Sequence, residues 1–357
     1  MTTRKDIENA LMRGADTLRD TIDAANYKDY VLPVMFLKYL SDSYADAVEA
    51  LSKQYSGIRL ERQKKYLPFM VAEGCSFYDL YKQRFADNIG QLINAAMRQI
   101  EADNNQQLAG VLSSVDYNSE NALGTREHKN AILRDLLEDF EPLNLRPSVI
   151  EIKEGQVPAD VIGDAYEYMI GQFASMAGKK AGSFYTPAAV SEIMARIVNV
   201  QPGERVYDPT CGSGSLLIKA AKKQNSKEVS IYGQEVNGSS VAMAKMNMYI
   251  HEIRDAKIGW GDTLANPVFL DADGNLLLFD AIVANMPFSK DKWASGFNPG
   301  GESSGKGKKE FKMEASLDKF HRFDWGVPPA SKGDWAFLLH MIASLSVNGR
   351  IAAVAPH

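Results

Sequence analysis

The second half of the chain alternates short apolar strands with amphipathic helices, and this alternation constrains the fold more than any other feature of the sequence. The predicted strands cover 205–207, 229–234, 279–284 and 350–354. The predicted helices cover 215–223, 236–251 and 334–345. Repeated strand–helix–strand units place their strands parallel in one sheet with helices on both faces. The pattern therefore predicts an α/β domain built on a doubly wound, mostly parallel sheet.

The first half of the chain is predicted to be helical. Its apolar residues recur at helical spacing in four segments, 4–22, 42–55, 88–101 and 127–140. The dense apolar stretch Val31–Leu40 predicts a buried helix with Pro33 in its first turn. A joint rich in proline and asparagine at 142–156 separates the two halves. We therefore predict two domains, a helical N-terminal domain at 1–155 and the α/β domain at 156–357.

Composition and charge narrow the class of protein. Hydrophobic residues make up 45% and charged residues 24% of the 357 residues, as in ordinary globular proteins. The two cysteines and five histidines show no metal-ligand spacing, so no metal site is predicted. The absence of a signal-peptide pattern and of an apolar run of about 18 residues predicts a cytoplasmic protein without a membrane span. The net charge of −5 argues against a protein that grips DNA unaided, but a local basic strip or a partner leaves DNA open as a substrate.

A glycine-rich turn follows the first predicted strand of the α/β domain and opens a helix. The turn consists of Asp208, Pro209, Thr210, Cys211, Gly212, Ser213, Gly214 and Ser215. Gly212 and Gly214 let the backbone turn tightly and approach a ligand, to which the helix start presents free N–H groups. Glu235, at the end of the next strand, is placed to bind ribose hydroxyls. The absence of a phosphate-loop lysine favours a nucleoside cofactor without a pyrophosphate, and the alternative is a turn that glycine stabilises without any ligand.

A second motif, Asn285-Met286-Pro287-Phe288, directly follows the predicted strand 279–284. The carboxyl ends of parallel strands carry the ligand site in doubly wound sheets. The amide oxygen of Asn285 and the backbone carbonyl of Met286 can accept both N–H bonds of a planar amino group, which would turn the nitrogen lone pair towards a methyl donor. Pro287 stiffens the turn, and Phe288 offers an aromatic face for a base flipped out of the duplex. The alternative is a strand-ending turn with a buried phenylalanine.

A third motif begins at Gly182 and precedes a predicted helix. Its candidate cofactor-binding residues are Ser183, Phe184, Tyr185, Thr186 and Pro187. Their backbone and aromatic groups could hold the methionine end of a cofactor. The serine, threonine and proline are equally typical of an ordinary helix start, so a simple cap is the alternative.

Other positions carry weaker signals. Asp262 follows a probable short strand and could accept a hydrogen bond from an adenine amino group, or it could be an ordinary surface-loop residue. The segment 289–316 is rich in glycine, serine and lysine, which predicts a mobile loop. His251, His321 and His340 each stand alone in the sequence, and we interpret them as structural or surface residues.

The three motifs, with Glu235 and Asp262 between them, occur in the order that amino-group adenine methyltransferases show. Together with the helical first half and the segment 163–168, the chain resembles the modification subunit of type I restriction–modification systems. The resemblance covers essentially the whole chain. It implies an S-adenosylmethionine-dependent methyltransferase domain that methylates N6 of adenine in DNA, with Asn285-Met286-Pro287-Phe288 as the catalytic motif and the other motif residues around the cofactor.

The resemblance also implies partners. Members of the family work with a separate specificity subunit that recognises the DNA sequence and with a restriction endonuclease subunit that cleaves unmodified DNA. The helical N-terminal domain is then expected to contact DNA and these partners, while self-association of the chain stays open.

Two departures from the family pattern affect these expectations. The catalytic motif of the family usually reads Asn-Pro-Pro-Phe, whereas Met286 stands at the second position here. Members of the family also continue past the position of His357, so we expect the sequence to be truncated. Two alternatives therefore stay open: a methyltransferase that acts on a protein glutamine or an RNA amino group, and a methyltransferase-like scaffold subunit without activity.

Overall fold

The computed structural model describes residues 1–55, 66–178, 185–222, 228–288, 290–298 and 311–356. The chain forms two compact units. The helical unit contains Met1–Ala181 and Lys245–Arg254, and the sheet unit contains Gly182–Ala244 and Asp255–His357. No helix in the described part of the chain combines the length and apolar character needed to cross a membrane.

The helical unit is built from helices of very different length, as the apolar periodicity of the first half predicted. They are α1 (Arg4–Thr17), α2 (Tyr27–Gln54), α3 (Phe77–Lys82), α4 (Ile89–Asp103), α5 (Asn105–Leu108), α6 (Glu120–Leu123), α7 (Arg126–Phe140) and α8 (Pro158–Ala177). A side-chain cap fixes the start of α1. The Thr3 hydroxyl accepts a hydrogen bond from the backbone N–H of Asp6, and the Asp6 carboxylate accepts one in return at the start of α1. The helical class of this half is confirmed.

Helix α2 differs from its prediction. The sequence indicated two segments, with Pro33 in the first turn of a helix at Val31–Leu40, but one helix of 28 residues runs through both and contains Pro33 in its interior. Polar residues near the junction of the two predicted segments are accommodated inside the core. Lys38 Nζ lies 2.7 Å from Asp42 Oδ2, and both side chains are fully buried. An ion pair one helical turn apart thus lets the helix continue where the apolar pattern stops.

The described part of the sheet unit contains five parallel strands. They are β1 (Arg205–Asp208), β2 (Ser230–Glu235), β3 (Lys257–Trp260), β4 (Phe279–Asn285) and β5 (Leu345–Val354). The described helices of the unit are α9 (Ala188–Val198), α10 (Ser215–Lys222), α12 (Gly333–Ala343) and the first half of α11 (Gly238–Ile250). The predicted α/β class with a parallel sheet is confirmed. Strand β5 starts five residues before its predicted start at 350.

The strand order β3-β2-β1-β4-β5 determines where the sheet can bind a ligand. The chain leaves β1 towards β2 and β3 on one side and returns to β4 on the other side of β1. Such a reversal leaves a crevice at the carboxyl ends of the two central strands, where open α/β sheets bind their ligands. The glycine turn follows β1, Glu235 ends β2 and Asn285 ends β4, so three predicted site positions converge at this crevice.

The domain boundary at 155/156 remains a prediction. The two compact units divide the chain at 181/182 instead, and the second half of α11 belongs to the helical unit.

Gly163 in α8 allows a buried histidine of the helical unit to approach the helix closely. A Cβ atom at this position would lie 2.1 Å from His251 Cε1, far inside van der Waals contact. His251 is only 7% exposed and has little room to move. A side chain at position 163 is therefore excluded as long as the imidazole occupies its place.

We predict that Gly163→Ala lowers the free energy of unfolding by about 1–3 kcal/mol through overpacking. In a His251→Ala background the same substitution should stabilise the protein by up to about 1 kcal/mol, because alanine favours a helix more than glycine does. Denaturant unfolding of the four proteins in this cycle measures the coupling. Equal effects of Gly163→Ala in the two backgrounds would contradict the predicted contact.

Candidate functional site

A cavity of about 240 Å³ opens at the carboxyl edge of the sheet. Twelve residues that the sequence singled out line it: Tyr185, Thr186, Pro209, Thr210, Cys211, Gly212, Ser213, Ser215, Glu235, Asp262, Asn285 and Pro287. The structure thus brings all three motifs to one cavity. Pro187 caps the start of α9 outside the lining. Asp208, Gly214, Met286 and Phe288 also lie outside it, and Ser183 and Phe184 lie outside the described residues.

The glycine turn needs glycine at two positions. Gly212 and Gly214 have φ angles of +52° and +75°, in the left-handed region that side chains disfavour. Gly214 N–H donates to Cys211 O at 2.7 Å, which closes the turn just before α10 begins at Ser215. The turn therefore presents its backbone to the cavity without a Cβ atom in the way.

Glu235 connects β2 to the glycine turn. Its Oε2 accepts a hydrogen bond from Gly212 N at 3.1 Å, and its Oε1 accepts one from Asn237 N at 2.8 Å. The residue is 6% exposed, and burial raises the pKa of its carboxyl above the ordinary value. Each carboxylate oxygen can accept a further hydrogen bond, so this cavity-lining group suits a ligand with paired hydroxyls.

Asp208 stabilises the glycine turn through a hydrogen bond to its backbone and does not line the cavity. It is 2% exposed, and its Oδ1 accepts a hydrogen bond from Thr210 N at 2.8 Å. Burial raises the pKa of its carboxyl to about 8, with the nearby Glu235 charge acting in the same direction. Asp208 is therefore mostly neutral at pH 7, whereas the sequence had suggested direct contact with a ligand.

Asn285 ends β4 with its side chain in a defined orientation. Its Nδ2 donates to Thr186 Oγ1 at 3.2 Å, and the residue lines the cavity, where its amide oxygen is the acceptor of the side chain. The side chain of Met286 is 4% exposed and packs into the hydrophobic core of the sheet unit. Phe288 is 50% exposed, not buried as the alternative interpretation of the motif required. The motif thus presents an amide and an aromatic ring.

Asp262 follows β3 and is already engaged on one side. Its Oδ1 accepts hydrogen bonds from the backbone N–H groups of Leu264 and Ala265, at 2.9 and 3.2 Å. Its Oδ2 lies 3.5 Å from Lys290 Nζ. Asp262 is therefore a structured part of the cavity wall and not an ordinary surface-loop residue.

Several lining residues were missed by the sequence analysis: Leu216, Val236, Asn237, Thr263, Lys290 and Phe337. Val236 and Asn237 directly follow Glu235 at the end of β2, and this position after a strand end could have indicated them as site residues. Lys290 lies in the segment 289–316 that was interpreted as a loop. Of this segment, Ser289 and 299–310 lie outside the described residues. Trp293 contradicts the mobile-loop prediction locally, because it is 1% exposed and packs at 5.1 Å from the ring of Phe323.

The described residues contain no group of three or more His, Cys, Asp or Glu side chains that could hold a metal ion. His340 and His251 are buried, in agreement with their interpretation as structural residues, whereas His321 is exposed.

Comparison with known protein families shows to which family the chain belongs. The family model described as N-6 DNA Methylase matches residues 157–357. The chain belongs to this family. A second family model, described as the HsdM N-terminal domain, matches residues 7–140, within the helical unit.

Relatives of this chain are methylase subunits of type I restriction enzymes. The MpnII methylase subunit of Mycoplasma pneumoniae is 29% identical, over 98% of this chain and 67% of that protein. The MjaIX methylase subunit of Methanocaldococcus jannaschii is 26% identical, over 98% of this chain and 60% of that protein. This chain therefore spans about two thirds or less of the length of these relatives.

A solved structure shares the fold. The type I restriction–modification system methyltransferase subunit from Streptococcus thermophilus is 30% identical with a TM-score of 0.75, over 99% of this chain and 75% of that chain. The resemblance to type I modification subunits is confirmed by these relatives. The predicted fold class is confirmed by the same structure, and S-adenosylmethionine is confirmed as the cofactor of the family to which the chain belongs.

The donors and acceptors of the cavity fit this cofactor. The glycine turn offers backbone to a close ligand, Glu235 offers two acceptors for ribose hydroxyls, and Asp262 offers a carboxylate for an amino group. Ser213 and Ser215 add hydroxyls at the start of α10. A nucleoside with an amino-acid tail needs this mixture of polar contacts and a close backbone.

We predict that Asp208→Asn makes the stability of the protein less sensitive to a rise in pH between about pH 4 and 8. The folded protein holds the Asp208 proton up to about pH 8, whereas the unfolded chain releases it near its ordinary pKa of 3.8. The proton therefore stabilises the fold fully in acid, and this stability is lost as the pH rises through that window. The asparagine variant should gain on the wild type by up to about 1.4 kcal/mol for each pH unit between pH 5 and 7.

Urea unfolding at a series of pH values, without ligand, measures this difference. Asp273→Asn at an exposed position is the matched control and should run parallel to the wild type. Parallel curves for Asp208→Asn as well would show that Asp208 ionises normally.

Proposed function

We propose that this protein transfers a methyl group from S-adenosylmethionine to the N6 amino group of adenine in DNA. The observation that carries the proposal is Asn285, which stands at the cavity edge with its Nδ2 bound to Thr186 Oγ1 and its amide oxygen available as an acceptor. Membership of the N-6 DNA methylase family and the names of the relatives support it.

We propose one part of the cofactor for each group of cavity residues. Glu235 would bind the ribose hydroxyls, and Asp262 would accept a hydrogen bond from the adenine amino group. Tyr185 and Thr186, on the side of Asn285, would contact the methionine end. The cofactor supplies an electrophilic methyl group on sulfur.

The methylation site itself requires orientation more than reactive side chains. The amino nitrogen of adenine is a poor nucleophile because its lone pair is delocalised into the ring. Acceptance of both N–H bonds, by Asn285 Oδ1 and the backbone carbonyl of Met286, favours a nitrogen whose lone pair faces the methyl donor. The exposed ring of Phe288 would stack on the base after it leaves the duplex. Catalysis then rests on proximity and alignment.

Met286 is compatible with this mechanism. Its side chain lies in the core of the sheet unit beside residues such as Trp293 and Phe323, and not in the cavity lining. The contribution proposed for position 286 is a backbone carbonyl, which methionine and proline both possess. Activity should therefore survive the departure from the Asn-Pro-Pro-Phe pattern.

We also propose that the protein acts as the modification subunit of a cytoplasmic type I system. A separate specificity subunit would choose the DNA sequence, and a restriction endonuclease subunit would join the same complex. The net charge of −5 supports this division of work, because a partner can supply the phosphate contacts that the chain as a whole lacks. The division into domains at 1–155 and 156–357 belongs to the same proposal.

We predict that Asn285→Ala strongly reduces methylation without weakening cofactor binding. In the complex with the specificity subunit, loss of the amide acceptor should lower kcat by on the order of 100-fold. Calorimetry should give the wild-type Kd for S-adenosylmethionine. Transfer of radiolabelled methyl groups to DNA, RNA and protein acceptors separates the proposed substrate from the two alternatives, and full DNA methylation by Asn285→Ala would overturn the mechanism.

A second prediction concerns the hydroxyl that orients Asn285. Thr186→Val removes the acceptor for Asn285 Nδ2 and should lower kcat at saturating cofactor by about tenfold, because the amide can then turn its N–H groups towards the substrate. Thr186→Ser keeps the hydroxyl and is the matched control, with kcat close to the wild type. Similar kcat values for the two variants would show that the hydroxyl does not orient the amide.

A further inference from the structure

A buried arginine lies behind the cavity wall, outside the lining. Arg322 is 3% exposed and pairs with the buried Asp318, to which its Nη2 donates at 2.8 Å. Its other donors reach two backbone carbonyls: Nη1 donates to Thr263 O at 3.2 Å, and Nη2 donates to Leu264 O at 2.6 Å. Nη1 also lies 3.2 Å from His340 Nδ1. One guanidinium therefore joins a carboxylate, a loop and a histidine.

The histidine extends this network to the central strand of the sheet. Arg322 can only donate, so His340 Nδ1 accepts and the imidazole proton is on Nε2. His340 Nε2 lies 3.1 Å from the hydroxyl of Tyr207, which it can reach as a donor. Burial, together with the Arg322 charge, lowers the pKa of His340 well below its ordinary value, which keeps the imidazole neutral. Tyr207 belongs to β1, directly before the glycine turn.

The loop that Arg322 holds forms part of the cavity wall. Asp262 and Thr263 both line the cavity. The Thr263 hydroxyl donates to Pro209 O at 2.6 Å, which ties the loop to the glycine turn. The Thr263 carbonyl is tied to Arg322 on the opposite side. The carboxylate of Asp262 accepts the N–H of Leu264, whose carbonyl Arg322 also binds.

We propose that Arg322 is a positioning residue that presets the Asp262–Leu264 loop for the cofactor; this inference rests on the cofactor site proposed above. Two neighbouring carbonyls that point inward need donors, and a guanidinium offers five N–H groups in one plane. Asp318 compensates the buried charge. A loop that is already ordered spares the cofactor the entropic cost of ordering it, so the network should tighten binding without contacting the ligand.

Arg322→Lys tests the proposal because it keeps the charge beside Asp318 but loses the planar set of donors. A single ammonium cannot bind the carboxylate and both carbonyls in this geometry. The full chain should bind S-adenosylmethionine with a Kd raised by about tenfold. Amide hydrogen exchange at 261–268 should be faster in the ligand-free variant than in the wild type, which a loss of cofactor contacts alone would not produce. In the assembled enzyme at saturating cofactor, kcat should change by less than about threefold.

Arg350→Lys is the matched control. Arg350 also belongs to the sheet unit, and it likewise combines a carboxylate with a backbone carbonyl: it pairs with Glu204 and donates to Val198 O at 2.7 Å. Neither Arg350 nor its partners line the cavity. This variant should bind the cofactor with the wild-type Kd and leave exchange at 261–268 unchanged.

The outcomes separate the inference from the proposed function. If the wild type shows no cofactor binding, the proposed function fails first. If the wild type binds and Arg322→Lys matches it in Kd and in exchange, the positioning role is wrong. An equal rise in Kd for Arg350→Lys would show that the weaker binding of Arg322→Lys comes from general destabilisation. That result would also overturn the proposal.

Tyr207→Phe decides the question if Arg322→Lys does not fold. It removes only the hydroxyl at the end of the network and keeps the ring, which stacks on Phe279 at 4.3 Å. This variant should raise the Kd by about threefold and accelerate exchange at 261–268. Wild-type values for both measurements would overturn the proposal.

Discussion

The parallel pairing of β1 with β4 is the constraint on which the site depends. Val206 pairs with Ala281 and Tyr207 pairs with Ile282, so the two strands end at the same edge of the sheet. The glycine turn and Asn285, which are far apart in the sequence, become neighbours for this reason alone. Because β1 also pairs with β2, the carboxylate of Glu235 reaches the same edge and holds the turn through Gly212 N. Backbone pairing thus sets the positions proposed for cofactor and substrate before any side chain contributes.

The parts of the site that the sequence could predict are those attached to strand ends. A short buried strand followed by glycine, by an acidic residue or by Asn-x-Pro-Phe is a local pattern, and parallel topology then fixes where it lies. The prediction was less accurate for α2, because it treated Val31–Leu40 and 42–55 as separate segments where one helix runs through both. In the fold, the Asp42 carboxylate is neutralised by Lys38 one turn earlier, and the Ser41 hydroxyl donates to Leu37 O. Tertiary burial overrides the local pattern there.

The residues that escaped prediction depend on contacts between segments distant in sequence. Lys290 and Arg322 lie in irregular stretches, where neither periodicity nor spacing distinguishes them. Arginine is rarely buried, so a reading by composition places Arg322 on the surface. Its role exists only because β3, the loop after it and α12 come together, which brings Thr263, Leu264 and His340 within reach of one guanidinium. A single sequence does not reveal contacts between segments that are so far apart along the chain.

The orientation of the acidic side chains around the cavity matters more for ligand recognition than their total charge does. Burial raises the pKa of Asp208 to about 8, so this side chain is mostly protonated at pH 7 and adds little negative charge to the turn. Glu235 is held by two backbone N–H groups, and Asp262 stands beside Lys290. Each remaining carboxylate therefore has its own counterpart and a fixed orientation. A wall of this kind selects ligands that place hydroxyl and amino hydrogens at defined positions, as a nucleoside does, and gives little advantage to a cation that only carries charge.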